Sequence, residues 1–206
     1  TCYGLVTPVL LNYFIFFFSA CPELSGQIIG GRPTSVNRHP YQVSMVINGN
    51  SFCGGFIISR DYVLTAAHCV QKFLCIKKLG STRRDSGGRI VRVSNVTVHA
   101  QYGQPRFDND IAALRLSQPL NFNANIRPIR LPQRGQSVPL VRLTVTGWGL
   151  TSYKKNCQTK QRCPAVFRNT AFGVVSFARG CALPLSPTVF SNVAALRDWI
   201  TDNTGV

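Results

Sequence analysis

Imidazole and carboxylate side chains are the residue types that move protons near neutral pH. Both are scarce here: the 206 residues hold 3 His and 7 acids. The acids are Glu23, Asp61, Asp85, Asp108, Asp110, Asp198 and Asp202, so two in one short run, Asp108-Asn109-Asp110, call for a reason. Asp110 precedes apolar Ile111, which argues for partial burial and therefore for a partner. His68 lies in the run Leu64-Thr65-Ala66-Ala67-His68-Cys69. Two further patterns frame these, Ile28-Ile29-Gly30-Gly31 ahead and Gly147-Trp148-Gly149 behind. Each alone is weak, and a single His68 reads as an ordinary strand-end histidine. Asp85-Ser86-Gly87-Gly88 also stands out as a hydroxyl among glycines.

Short β-rich runs between turn residues must position these groups. They are Gln42–Ile47, Gly55–Ser59, Tyr62–Ala66, Ile90–Val98, Ile111–Leu116, Leu140–Thr146, Phe172–Phe177 and Thr188–Val193. Asn48-Gly49 offers a hairpin turn. Many short strands with few helical stretches argue for an all-β barrel or sandwich. One helix is expected over Val193–Thr201, with Val193, Leu196, Trp199 and Ile200 on one face and Ser191 or Asn192 as cap. Hydrophobic residues at 45% and a mean hydropathy of +0.06 supply a core and exclude disorder. Gly 17 and Pro 12 are scattered without a triplet period, which excludes collagen. Cys 8 in this length points to an oxidising compartment. Lys+Arg 23 against Asp+Glu 7 gives net charge +16.

Together and in this order, the four patterns resemble the chymotrypsin/trypsin family of serine peptidases, from Ile28 to about Thr201. The resemblance implies two six-stranded β-barrels with a cleft between them. The first barrel spans about residues 28–120 and the second about 121–206. It implies His68 as general base and Asp110 as the carboxylate orienting it. A serine hydroxyl is a poor nucleophile until an imidazole takes its proton, and the carboxylate fixes the imidazole tautomer. It implies no cofactor and no metal. It pairs Cys53 with Cys69 and Cys157 with Cys181, and leaves Cys75 and Cys163 unassigned.

Ser86 precedes Asp110, whereas the family's nucleophile follows the aspartate, so Asp85-Ser86-Gly87-Gly88 reads as a turn. The run from Lys155 to Pro164 is the better register, matching Cys157, Gln158 and Pro164. It places Gln161 at the nucleophile position, Thr159 in place of an oxyanion-loop glycine and Lys160 in place of the aspartate that pairs with the new N-terminus. Lys155 replaces the acid of a trypsin-type pocket, and Ser176 lies in the strand edging that pocket. An amide cannot be deprotonated to attack a carbonyl, so no acyl-enzyme forms. Lys160 would repel the ammonium freed at Ile28, and Gln27 replaces the usual basic residue of the activation site. Only Leu150 to Asn156 separate Gly149 from Cys157, where active relatives carry strands of the second barrel, so that barrel is expected to be incomplete.

Residues 1–20 read as a secretory-signal-like segment, apolar from Leu5 to Phe18 and closed by small residues, and 21–27 as a short pro-segment. The run is short of the ~20 residues of a membrane span. The domain proper is 28–206, expected as a secreted, extracellular monomer. Asn95-Val96-Thr97 is an N-glycosylation sequon. Lys154, Lys155, Lys160 and Arg162 form one basic cluster, and Lys77, Lys78, Arg83, Arg84, Arg89 and Arg92 another. With net charge +16, partners are expected among sulfated glycans or other polyanions, besides proteins or peptides of a proteolytic cascade. Three functions stay open: an inactive family member that acts by binding, an active endopeptidase truncated here by a missing segment, and a cationic polyanion-binding protein on the same scaffold.

Overall fold

The computed structural model describes residues 4–10, 13–18, 32–47, 50–70, 76–83, 86–105, 108–148, 162–178 and 188–206. Twelve strands form two sheets. In chain order they are β1 (Gly4–Leu10), β2 (Tyr13–Phe18), β3 (Gln42–Ile47), β4 (Asn50–Ile57), β5 (Tyr62–Thr65), β6 (Ile76–Leu79), β7 (Arg89–Val98), β8 (Ala112–Leu116), β9 (Thr144–Gly147), β10 (Arg162–Phe167), β11 (Thr170–Ala178) and β12 (Thr188–Asn192). Helix α1 (Arg197–Thr204) ends the chain.

Strands β3 to β8 close a barrel in the order β3-β4-β5-β8-β7-β6. Period-2 patterning drives closure. On β7, Val91 and Val93 face the interior while Ile90, Arg92 and Ser94 face water. Ser94 sits where the β7–β8 register shifts, and its Oγ donates to the carbonyls of Arg115 and Leu116 at 3.2 and 3.1 Å. Ile47 pairs with Asn50, so the β3–β4 connection has two residues, as the Asn-Gly pair predicts. Gly55 is obligatory on packing grounds, because a Cβ there would stand 2.8 Å from the Leu64 carbonyl.

The second sheet is open, in the order β1-β2-β12-β11-β10-β9. Its first two strands come from residues 4–18, the stretch expected to be the apolar part of a secretory signal. They form an antiparallel hairpin, and β2 pairs with β12 through Phe16↔Thr188 to Tyr13↔Ser191. Among the described residues the second half therefore has six strands, drawn partly from the N-terminal segment, with no pairing between β1 and β9.

Other expectations shift in detail. The run at Leu140 becomes strand only at Thr144, because Pro139 and Val141 form a turn that leaves Leu140 exposed. The C-terminal helix begins at Arg197 rather than Val193, and Ser191 and Asn192 belong to β12. Asn192 Oδ1 instead accepts the Ala194 N–H in the preceding turn. Val193, Leu196 and Ile200 are buried as their spacing requires. Gly205 closes α1 at φ 71°, with its N–H on the Thr201 carbonyl. Strands β6 and β10 were not foreseen.

The two halves share one core. Met45, Phe56, Leu64, Ile111 and Leu114 of the barrel pack with Val166, Val174, Leu196 and Ile200 from the other half. A buried polar staple crosses beside it: Thr146 Oγ1 donates to Gln42 Oε1 at 2.7 Å, and Gln42 Nε2 donates to the Gly55 carbonyl. Among the described residues no helix is long and apolar enough to cross a membrane.

Candidate functional site

Strand β5 delivers His68. Its last residue, Thr65, anchors through Oγ1 on the Gly54 carbonyl at 2.8 Å, and the chain then turns through one short helical turn, Ala67–Cys69. The Cys53–Cys69 disulfide expected from the resemblance ties this turn to β4, with Cα atoms 6.1 Å apart. The Asp110 loop arrives from the other side, just before β8. Asn109 holds φ at 51°, a left-handed conformation that asparagine tolerates, and its N–H is capped by Asp108 Oδ1 at 2.9 Å.

Asp110 is 2% exposed and lies in a ring of donors. The backbone N–H of His68 donates to Oδ1 at 2.9 Å, and His68 Nδ1 lies 2.8 Å from Oδ2. Ser176 Oγ on β11 donates to Oδ2 at 2.6 Å, and Ser191 Oγ on β12 donates to the Asp110 carbonyl at 3.0 Å. The partner that burial demanded is thus three side chains and an amide. A carboxylate oxygen only accepts, so Nδ1 carries the imidazole proton and Nε2 the lone pair.

The His68 side chain is 40% exposed. Its Nε2 lies 3.4 Å from Cys69 Sγ, a disulfide sulfur with no proton to give. Cys53, His68 and Cys69 bring their ligand atoms within 4.8 Å of one another. The two sulfurs are bonded to each other, so this cluster offers no thiolate to a metal.

Sequence reasoning brought His68 and Asp110 to one place and assigned Ser176 to a pocket wall. The geometry directs the Ser176 hydroxyl onto Asp110. Ser191 was missed. Ser176 is a lone hydroxyl in the otherwise apolar run Phe172–Phe177, whereas Ser191 shares its strand with Thr188 and Asn192 and carries no such signal. Ser86 sits in a turn, its carbonyl accepting from Ser81 Oγ, with Gly87 and Gly88 at φ 68° and 77°. This bears out the turn reading. Asn95 is exposed on β7. Gln27, Ile28, Cys75, Lys155, Cys157, Thr159, Lys160, Gln161 and Cys181 lie outside the described residues.

The other two histidines each lie against an aromatic ring. His39 Nδ1 lies 3.1 Å from Tyr41 Oη; burial lowers the His39 pKa, with the Arg38 charge adding, and burial pushes Tyr41 up to about 12. His99 lies against Trp199 with ring centroids 5.4 Å apart, and burial lowers its pKa against the opposing pull of Asp108.

The family signature described as Trypsin matches residues 28–165. The chain is 30% identical over 246 residues to a trypsin of Phaedon cochleariae, covering 93% of this chain and 95% of that one. It is 31% identical to Trypsin 5G1 of Aedes aegypti, covering 88% and 86%. Among solved structures it is similar to the scabies mite inactivated protease paralogue S-D1, with TM-score 0.74 and 20% identity, covering 86% of this chain and 97% of that one.

Proposed function

Because the chain belongs to the trypsin family of serine peptidases, we propose that it is a secreted member that binds proteins or peptides of a proteolytic cascade without hydrolysing them. His68 takes the place of the general base and Asp110 that of its orienting carboxylate. Ser176 and the His68 amide hold that carboxylate in register. The observation that carries the reading is the residue that stands where the family has its nucleophile. In the register of the family motif the nucleophile position is Gln161, whose amide has no proton that His68 could remove to make a nucleophile. The buried Cys53–Cys69 bridge supports an oxidising, extracellular setting. The mite protein is itself described as inactivated, though the likeness to it is one of fold.

The test is stoichiometric labelling of the purified chain with a fluorophosphonate, which traps an activated serine. No label is expected. Labelling that vanishes in His68→Ala would mean an intact triad and would favour an active endopeptidase. Labelling lost in Ser86→Ala would identify the turn serine as nucleophile instead.

A further inference from the structure

We propose that the outer face of the first barrel, along residues 115–121, is a binding strip for a linear sulfated polysaccharide. Four arginines hang on this segment. Arg115 lies within it, exposed on β8. Arg92, exposed on β7, is tied to it by its carbonyl, which accepts the Ser117 N–H at 2.9 Å. Arg89 donates from Nη2 to Gln118 Oε1 at 3.2 Å. Arg60 reaches from the opposite side, with Nε on the Leu120 carbonyl at 3.1 Å and Nη2 toward Asn121 Oδ1 at 3.4 Å.

The charge is available. Arg92 and Arg115 have no ion-pair or side-chain hydrogen-bond partner among the described residues. Each guanidinium keeps five N–H donors in a fork suited to sulfate oxygens. Among the described residues one acid is near: Asp61 precedes Tyr62, which pairs with Arg115, and the Asp61 carbonyl accepts the Leu116 N–H. It forms no ion pair with these arginines, so among the described residues four cations stand against one anion.

The shape selects a polymer over a point anion. The chain is strand to Leu116 and bends at Ser117 and Gln118, and the arginines are anchored at separate points along it, Arg115 on the strand, Arg89 at Gln118 and Arg60 at Leu120 and Asn121. Between them stand exposed hydroxyls and amides, Ser94, Asn95, Ser117, Gln118 and Asn121, which suit sugar hydroxyls. Nucleic acid is the poorer fit. Sequence-tolerant binding of single strands relies on successive aromatic platforms. Phe122, at one end, is the exposed aromatic here.

The experiment uses the full chain with any glycan on Asn95 removed, on immobilised heparin at physiological salt. The variant Arg60→Gln/Arg89→Gln/Arg92→Gln/Arg115→Gln is expected to lose at least tenfold in affinity. A control that removes as many charges elsewhere, Arg38→Gln/Arg134→Gln/Arg142→Gln/Arg168→Gln, should stay within threefold of the parent. Equal losses in the two would overturn the strip and leave net charge as the whole explanation. Desulfated heparin bound as tightly as heparin would refute the sulfate requirement. Duplex DNA bound more tightly than heparin would assign the face to nucleic acid instead. Should the first variant fail to fold, Arg92→Gln/Arg115→Gln carries the test with an expected loss of at least threefold, since neither side chain bonds to a described residue. Binding is read without any peptidase assay, so a positive fluorophosphonate result would leave this outcome standing.

Discussion

At the scale of single residues, Asp110 shows how a buried charge is made tolerable. Its carboxylate takes the His68 amide, the His68 ring and the Ser176 hydroxyl, and its carbonyl takes Ser191. Removing one donor leaves part of a buried acceptor unsatisfied, which costs about 1–3 kcal/mol. Ser176→Ala should therefore lower stability by about that much in denaturant melts, while an exposed serine such as Ser117→Ala should change it by less than about 0.5 kcal/mol. Matching effects would show that the Ser176 bond carries no weight. A second expectation concerns the nucleophile position. On the proposed register Gln161→Ser supplies a hydroxyl, but Thr159 would still stand for an oxyanion-loop glycine and Lys160 for the aspartate that pairs with the new N-terminus, and both would distort the loop, whose donors are worth roughly 10²–10³ in rate. Amidase assays of this variant should stay at background. Clear turnover would mean that the loop is already competent.

At the scale of elements, the two halves manage their edges differently. The barrel β3-β4-β5-β8-β7-β6 has no free edge, whereas the second sheet ends at β1 and β9. Unpaired edge groups exchange with water and invite added strands. Hydrogen exchange should accordingly be slowest at Val63, Leu64, Ala113 and Leu114 in the closed barrel and faster along β9 and β1. Uniform protection across both halves would point to a second closed barrel. The open second sheet agrees with the incomplete second barrel expected from the short run between Gly149 and Cys157, and the β1–β2 hairpin supplies two of its strands. A sheet accepts any extended segment that satisfies its edge, and residues 13–18 do so on β12. The Tyr13↔Ser191 pair joins that hairpin to the strand that holds the Asp110 carbonyl.

At the scale of the whole molecule, charge and protonation dominate. Net charge +16 makes the compact state repel itself, and salt screens this. The melting temperature should rise as salt is raised from low to moderate concentration; a fall would contradict that account. Acidification should act the other way. His39 and His99 both have pKa values lowered by burial, so the folded state resists a proton that the unfolded chain accepts near 6.5. Stability is full above that pH and declines as pH falls through it. Melting curves between pH 7.5 and 5 should show the decline, and His39→Gln/His99→Gln should flatten it. An unchanged slope in the double variant would exclude these two groups as its cause.

The sequence by itself determined the class of fold, the first barrel and the pairing of His68 with Asp110. Each rests on local information: strand periodicity, an Asn-Gly turn, and short motifs whose order matches one family. The Cys53–Cys69 bridge followed from the same likeness. The tertiary structure alone decided which hydroxyls attend Asp110, because Ser176 reaches its carboxylate and Ser191 its backbone carbonyl from strands 66 and 81 residues away. It also decided that an apolar N-terminal run could serve as two strands of a sheet, since the same hydrophobicity suits a signal segment and a paired edge. And it gathered Arg60, Arg89, Arg92 and Arg115 around one segment, a line that the sequence spread over more than fifty residues. Strand register, not spacing along the chain, sets such distances.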